Sequence, residues 1–261
     1  MANERMANER MANERMAPGR NCYLPLDTLK AVAPDCWIVD GPPIRFGRCL
    51  VGMWFPTRMT IVRLRRGLFI HSPTALTPSL RREIEAIGAP RWIIGPNRIH
   101  YWWIPEWQAA FPEAQVYLAP RIREQAGGRI DFPCLPLDKA DGYPWDEAIA
   151  TLPIHGSFMT EVEFFHAASR TLILTDAIEN FEPGKLGHCE RVLTRFGRVQ
   201  DPDGQMPIDM RLTYRRQRRQ LKEAVRTMID WDPERVILAH GRWYESNGGN
   251  ELRRAFRWLL D

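Results

Sequence analysis

The chain has 261 residues, 44% of them hydrophobic, and a formal net charge of +4. Length and composition support one large core or two modest ones, and so mild a charge excludes a nucleic-acid footprint spread over the whole surface. No stretch reaches the ~18–20 uninterrupted apolar residues of a membrane helix, and no apolar signal core opens the sequence, which predicts a soluble, cytoplasmic protein with no membrane partner.

In chain order, Met-Ala-Asn-Glu-Arg occurs three times over Met1–Arg15. A five-residue period advances about 140° per repeat on a helix, so Met and Ala form no stripe. A solvated tail is predicted over residues 1–20, with the globular part running from Cys36 to Asp261. Met59–Leu64 and Leu68–His71 flank Arg65-Arg66-Gly67 and predict a hairpin. Thr77-Pro78 is an N-cap followed by proline, and Leu80, Ile84 and Ile87 hold one helical face until Gly88 stops it. A strand at Trp92–Ile94 leads to Asn97 and His100, followed by a helix near Pro105–Phe111 and a strand at Val116–Ala119. The tryptophans clustered here read as core packing, with a pocket wall as the alternative.

The second half predicts a strand into His155, a hairpin from Glu161 to Asp176 turning at Ala167–Arg170, and a long helix from Thr213 to Ile229. A strand into His240 comes next, then a closing helix capped by Asn247 or Asn250 that buries Leu252, Ala255, Phe256 and Leu259. The basic side of the long helix, Arg215, Arg219, Lys222 and Arg226, is expected to be solvated or ion-paired rather than to bind nucleic acid. Two β-rich halves with helices outside predict an α/β protein in four layers, αββα. The five cysteines, Cys22, Cys36, Cys49, Cys134 and Cys189, contain no Cys-x-x-Cys pair and read as reduced thiols. His166 and His188 are expected to be exposed, and His71 to be a structural group near the site.

Three apolar runs each end on a potential metal ligand: Leu152–Gly156 on His155, Leu172–Ala177 on Asp176, and Val236–Gly241 on His240. Strand ends are where α/β sheets collect their ligands. In this order the runs resemble the histidine, aspartate and final-histidine motifs of the metallo-β-lactamase superfamily. Phe55–Thr60, Leu68–Pro73 and Pro96–His100 resemble one uncharacterised branch of it, the domain of unknown function 4336, over roughly residues 36–261.

The resemblance implies that His100, Asp176 and His240 belong to one metal position, while His155 faces a neighbouring one and shares Asp176. It also exposes a departure. Where the superfamily carries a His-x-His-x-Asp-His cluster, this chain has Asn97, Ile99 and His100, so one divalent ion is expected: zinc first, iron or manganese as alternatives. A metal-dependent hydrolase follows, acting through hydroxide on a small ester, lactone, thioester or phosphoester. Asp176 and Asn97 are the expected catalytic residues, the Asn97 carboxamide hydrogen-bonding a substrate oxygen or water. Glu161, Glu163 or Tyr244 are candidates to replace the missing aspartate. The alternative is a catalytically silent binding protein that has lost the cluster. Oligomeric state is not legible.

Overall fold

The structure is a computed structural model that describes residues 21–46 and 53–261; the tail expected over 1–20 lies outside them, as does Cys49. The chain enters the fold before Cys36. Strand β1 (Lys30–Ala33) pairs antiparallel with β2 (Cys36–Phe46) through a turn at Asp35, whose φ of 58° is left-handed. Ahead of β1, Thr28 Oγ1 and the Leu29 amide both donate to the Glu83 carboxylate, the latter at 2.8 Å.

Strands β3 (Met53–Leu64) and β4 (Gly67–His71) form the expected hairpin, since Gly67 supplies the positive φ its turn requires. Helix α1 (Pro78–Ile87) is capped as its sequence dictates: Thr77 Oγ1 accepts from the Leu80 amide at 3.2 Å, and Gly88, at φ 151°, ends it. Then follow β5 (Pro90–Gly95), α2 (Ile104–Ala110), β6 (Gln115–Leu118), α3 (Ile122–Ala126) and β7 (Leu135–Pro136). The seven strands form one sheet in the order β1 to β7, antiparallel to β4 and parallel beyond it. The Trp-rich segment belongs to its core: Tyr101 and Trp107 are buried, and Trp107 Nε1 donates to the Thr74 carbonyl at 2.7 Å.

The second sheet contains β8 (Ile149–His155), β9 (Thr160–His166), β10 (Thr171–Ile173) and β11 (Arg235–Ile237), in the order β11-β10-β9-β8. Its two faces follow from the period-two alternation of side chains along a strand. Phe164, Ile173 and Ile237 join the core shared with the first sheet; Phe165, Leu172 and Val236 join a second core under the helices. Phe69, Trp145 and Phe164 lock the sheets together, Phe69 lying 5.1 Å from the Trp145 ring and 5.2 Å from the Phe164 ring in edge contacts.

Five helices complete the described residues, beginning with α4 (His188–Gly197), in which His188 is exposed as anticipated. The long helix expected over 213–229 is instead α5 (Ile208–Thr213), a 3₁₀ turn at Arg215–Gln217, and α6 (Arg218–Asp230). The break has a cause. The Thr213 carbonyl accepts from Ser157 through its amide at 3.1 Å and its hydroxyl at 2.7 Å, bonds that compete with continuing the helix. Helices α7 (Gly248–Ala255) and α8 (Arg257–Leu260) pack with α6 over the second sheet through Leu221, Val225, Leu252 and Phe256. The layers are therefore αββα. One expectation is corrected: His166 is buried, not exposed, because its Nδ1 meets Ser169 Oγ at 2.8 Å inside the hairpin.

Replacing Phe69 by Ala should destabilise the protein by about 3–5 kcal/mol, and Thr77→Ala by about 1 kcal/mol, in urea unfolding monitored by tryptophan fluorescence.

Candidate metal centre

The site lies where loops leave the ends of strands from both sheets, and two buried charges hold those loops. Beyond Leu174, whose amide still donates to the Ile237 carbonyl at 3.0 Å, Glu161, on β9, supplies the acceptor for the loop. A single oxygen, Oε1, accepts from the amides of Thr175 (2.9 Å), Asp176 (2.7 Å) and Ala177 (3.1 Å) and from the Thr175 hydroxyl (2.5 Å). Burial and the nearby Asp176 raise the Glu161 pKa, while these donors oppose the rise.

After β11, Arg58 does the converse. Its Nη1 donates to the carbonyls of Leu238 (2.7 Å) and Gly241 (2.9 Å), on either side of His240, while Asp40 neutralises the guanidinium at 2.7 Å. Gly241 must be glycine: φ is 93°, and a Cβ would sit 2.1 Å from the Asn180 carbonyl oxygen.

Between these loops three side chains converge. His100 Nε2 lies 3.2 Å from Asp176 Oδ2, His240 Nε2 lies 3.2 Å from Asp176 Oδ1, and the two Nε2 atoms are 3.2 Å apart. One ligand atom from each falls within 4.8 Å of the others. Bonds of 2.0–2.1 Å to a tetrahedral ion separate its ligands by about 3.3 Å, so the spacing suits a common cation.

Each ring is oriented from behind. His240 Nδ1 lies 2.7 Å from the Pro56 carbonyl, which can only accept, so that nitrogen carries a hydrogen and Nε2 is left to face the site. His100 Nδ1 lies 2.8 Å from the hydroxyl of Ser72, which follows β4 with a φ of 50°. The lone pair of His240 Nε2 and the Asp176 carboxylate face one another and repel unless a cation or a proton lies between them. Burial opposes the charge on Asp176, yet His100 and His240 outweigh it and hold its carboxyl well below the usual range. Burial likewise acts to lower His240, and the Asp176 hydrogen bond and charge raise it overall.

Asn97 lies inside the cluster. Its Oδ1 accepts from the amides of Ile99 (2.9 Å) and His100 (3.1 Å), which turns Nδ2 toward Thr175 Oγ1 (3.0 Å) and Asp176 Oδ2 (2.6 Å). Two donors and two acceptor positions are thus all engaged within the protein, leaving none for the substrate contact expected of this residue. His155 is not brought into the cluster: its ring is exposed at the end of β8, with Nδ1 3.1 Å from Thr160 Oγ1. Of the candidates for the missing aspartate, Glu161 is engaged with the loop. Burial, then Glu161, push the Glu163 carboxyl well above its ordinary range, and the Tyr244 ring lies under Arg254. His71 is buried against Phe164, and burial followed by the charge of His100 lowers its pKa to about 3, so it is neutral.

Residues 48–185 match a family profile described as domain of unknown function (DUF4336). The chain belongs to the DUF4336 family. The matched residues include His100 and Asp176, and His240 lies beyond them. No curated protein matches this DUF4336 chain. Among solved structures it is similar to the metallo-β-lactamase FIM-1 from Pseudomonas aeruginosa in its mono-zinc form, with a TM-score of 0.58 and 12% identity over 95% of this chain and 99% of that one. It is also similar to the DIM-1 metallo-β-lactamase exposed to ceftazidime (TM-score 0.58, 11% identity, 88% and 96% covered). A third match is the Flv1 flavodiiron core from Synechocystis (TM-score 0.57, 11% identity, 93% and 62% covered). At these identities the likeness is one of fold: this DUF4336 member has the metallo-β-lactamase fold.

Burial raises the pKa of Glu179 from 4.5 to about 8, and Asp176, Asp209 and Glu161 act the same way against a smaller lowering by His240. A raised pKa means stability that is present below the unfolded value and lost as pH rises through the folded one. Glu179 and the raised His240 both act in this sense, whereas the depressed Asp176 acts only below its usual range. Below pH 6.5 the buried, neutral His71 acts in the opposite sense, so the metal-free protein should lose stability as pH rises from 6.5 through about 8, and Glu179→Gln should flatten that fall in melting temperature by calorimetry. An unchanged slope would show Glu179 to be ionised in the fold.

Proposed function

We propose that the protein is a metal-dependent hydrolase with a mononuclear centre on His100, Asp176 and His240. The observation that carries this reading is the convergence of these three side chains, one ligand atom of each within 4.8 Å of the others, with His240 held in the tautomer that directs a lone pair inward. Two imidazoles and one carboxylate suit zinc first, and iron or manganese as well. When bound, such an ion supplies Lewis acidity, lowering the pKa of a water toward roughly 7 and polarising a carbonyl or phosphoryl oxygen.

The protein groups divide the remaining work. Asp176 supplies the negative charge. Asn97 holds one of its oxygens with a neutral donor where a further imidazole would let a second ion bind, which favours one ion over two. Being an amide, Asn97 takes up no proton, so it is a positioning residue rather than a general base. Ser72 and Pro56 set the two rings. The substrate we assign is a small ester, lactone, thioester or phosphoester, handled in the cytoplasm.

A second reading, a silent binding protein, is favoured by the saturated Asn97 and by the slight exposure of the ligands, at most 8% for His100. Metal analysis and hydrolysis of p-nitrophenyl esters and phosphodiesters separate the two. Protein purified without chelator should hold about one ion, and His240→Ala should weaken binding by at least the ~10–100-fold typical of losing an outer partner, with turnover falling in parallel. Stoichiometric metal without turnover on any of these substrates, or sub-stoichiometric metal unaffected by His240→Ala, removes the hydrolase reading and favours the silent scaffold.

A further inference from the structure

The chain's charge is concentrated in one stretch. Residues 188–213 hold four arginines and four acidic residues, of which Asp201 pairs with Arg242 and Asp203 with Arg254 and Arg257, and the chain's excess of four arginines follows directly at Arg215, Arg216, Arg218 and Arg219. Helix α4 opens this stretch with its apolar side outward. Thr194 is its only buried residue, whereas Val192 and Leu193 are exposed and Phe196 is 76% exposed, at positions i, i+1 and i+4. An amphipathic helix ordinarily turns that face to the core.

Its charges are equally one-sided. The only acid of α4, Glu190, points back into the fold and accepts from the Gly187 amide at 2.9 Å and from Asn21 Nδ2 and the Trp54 amide at 3.4 Å. Arg191, Arg195 and Arg198 flank the apolar residues, and among the described residues none of them pairs with a carboxylate. Helix α5 continues the pattern with Ile208 exposed and Leu212 68% exposed. Arg211 lies near enough to Arg198 and Arg257 that, after burial, these two charges help lower its pKa to about 10. The basic side of α6 differs: Arg219 pairs with Glu223 at 3.0 Å, and Lys222 donates to the Leu260 carbonyl at 2.5 Å.

Single exposed apolar side chains are ordinary on a protein surface; five large ones on consecutive helices, rimmed by unpaired arginines, mark a contact surface. We propose that the face formed by α4 and α5 binds an anionic phospholipid surface, with Val192, Leu193, Phe196 and Leu212 entering the boundary between headgroups and acyl chains. The arginine stems lie along the same apolar layer while their guanidinium groups meet phosphate and carboxylate headgroups. A protein partner would need an acidic groove shaped to receive a phenyl ring standing this far out. A lipid surface offers negative charge above a yielding apolar layer, with no shape to match. No helix among the described residues is long and apolar enough to cross a membrane, so the association is peripheral. It does not depend on the metal centre.

The test is sedimentation of the full chain with vesicles of phosphatidylcholine alone and with ~30% phosphatidylserine, at ~0.1 M and ~0.5 M NaCl. Binding should require phosphatidylserine and weaken at the higher salt. Phe196→Asp should reduce partitioning at least about tenfold, and Arg191→Gln and Arg195→Gln about fivefold each, with melting temperature and metal content unchanged because these side chains are exposed. No sedimentation, equal binding to neutral vesicles, or wild-type partitioning by Phe196→Asp would each overturn the proposal. So would analytical ultracentrifugation without lipid in which Phe196→Asp turns a dimer into a monomer, since the face would then join two copies of this chain.

Discussion

One carboxylate oxygen, Oε1 of Glu161, organises the centre of this protein. Strand β10 is only three residues long, and the chain beyond it must place Asp176 without a neighbouring strand to hold the backbone. Buried amides without partners cost free energy comparable to a lost hydrogen bond. Glu161 collects three of them in succession, together with a hydroxyl, which fixes the loop more rigidly than a turn could. Arg58 performs the complementary task on the other loop, donating to the two carbonyls that bracket His240. An anion gathers N–H groups and a cation gathers C=O groups, and the two loops meet between them.

That arrangement creates an electrostatic problem which only a positive charge resolves. Two imidazole nitrogens and a carboxylate face one another at 3.2 Å in a buried site. Without a metal, a proton on His240 serves, which is why its pKa rises while that of Asp176 falls. Metal and proton compete for the same place, so the affinity of the centre is tied to pH by the geometry itself. Asn97 closes one side with a neutral donor that leaves the negative charge of Asp176 in place. Ile99, where the resemblance would put the cluster's aspartate, brings no charge at all.

Local physics made much of this legible. The hairpin at Gly67, the helix from Thr77 to Gly88 and the three strands ending near His155, Asp176 and His240 each carry their own signal: a turn residue, a cap, an apolar run with a stop. Other features had a signal that was misleading. Glu161 and Glu163 alternate with apolar residues in β9, a pattern that ordinarily turns carboxylates to solvent, yet both are buried. The basic run after Thr213 looks like one continuous helix, and Ser157, more than fifty residues upstream, interrupts it. In α4 the apolar side chains fall at helical spacing but face outward, where a core-facing stripe would be expected. His166 sits in a short turn, and its burial depends on Ser169 and the packing of the hairpin.

The amino-acid sequence by itself determined the alternation of the two sheets, the capped helices, and the strand ends where ligands could collect, because each depends on residues within a few positions of one another. Only the tertiary structure decided that His100, Asp176 and His240 meet while His155 stays outside. That choice rests on contacts from Pro56, Arg58, Ser72 and Glu161, which approach the loops from distant parts of the chain. Hydrogen-bond donors and acceptors satisfied over such separations leave no periodic trace, so the composition of the centre could be anticipated and its closure could not.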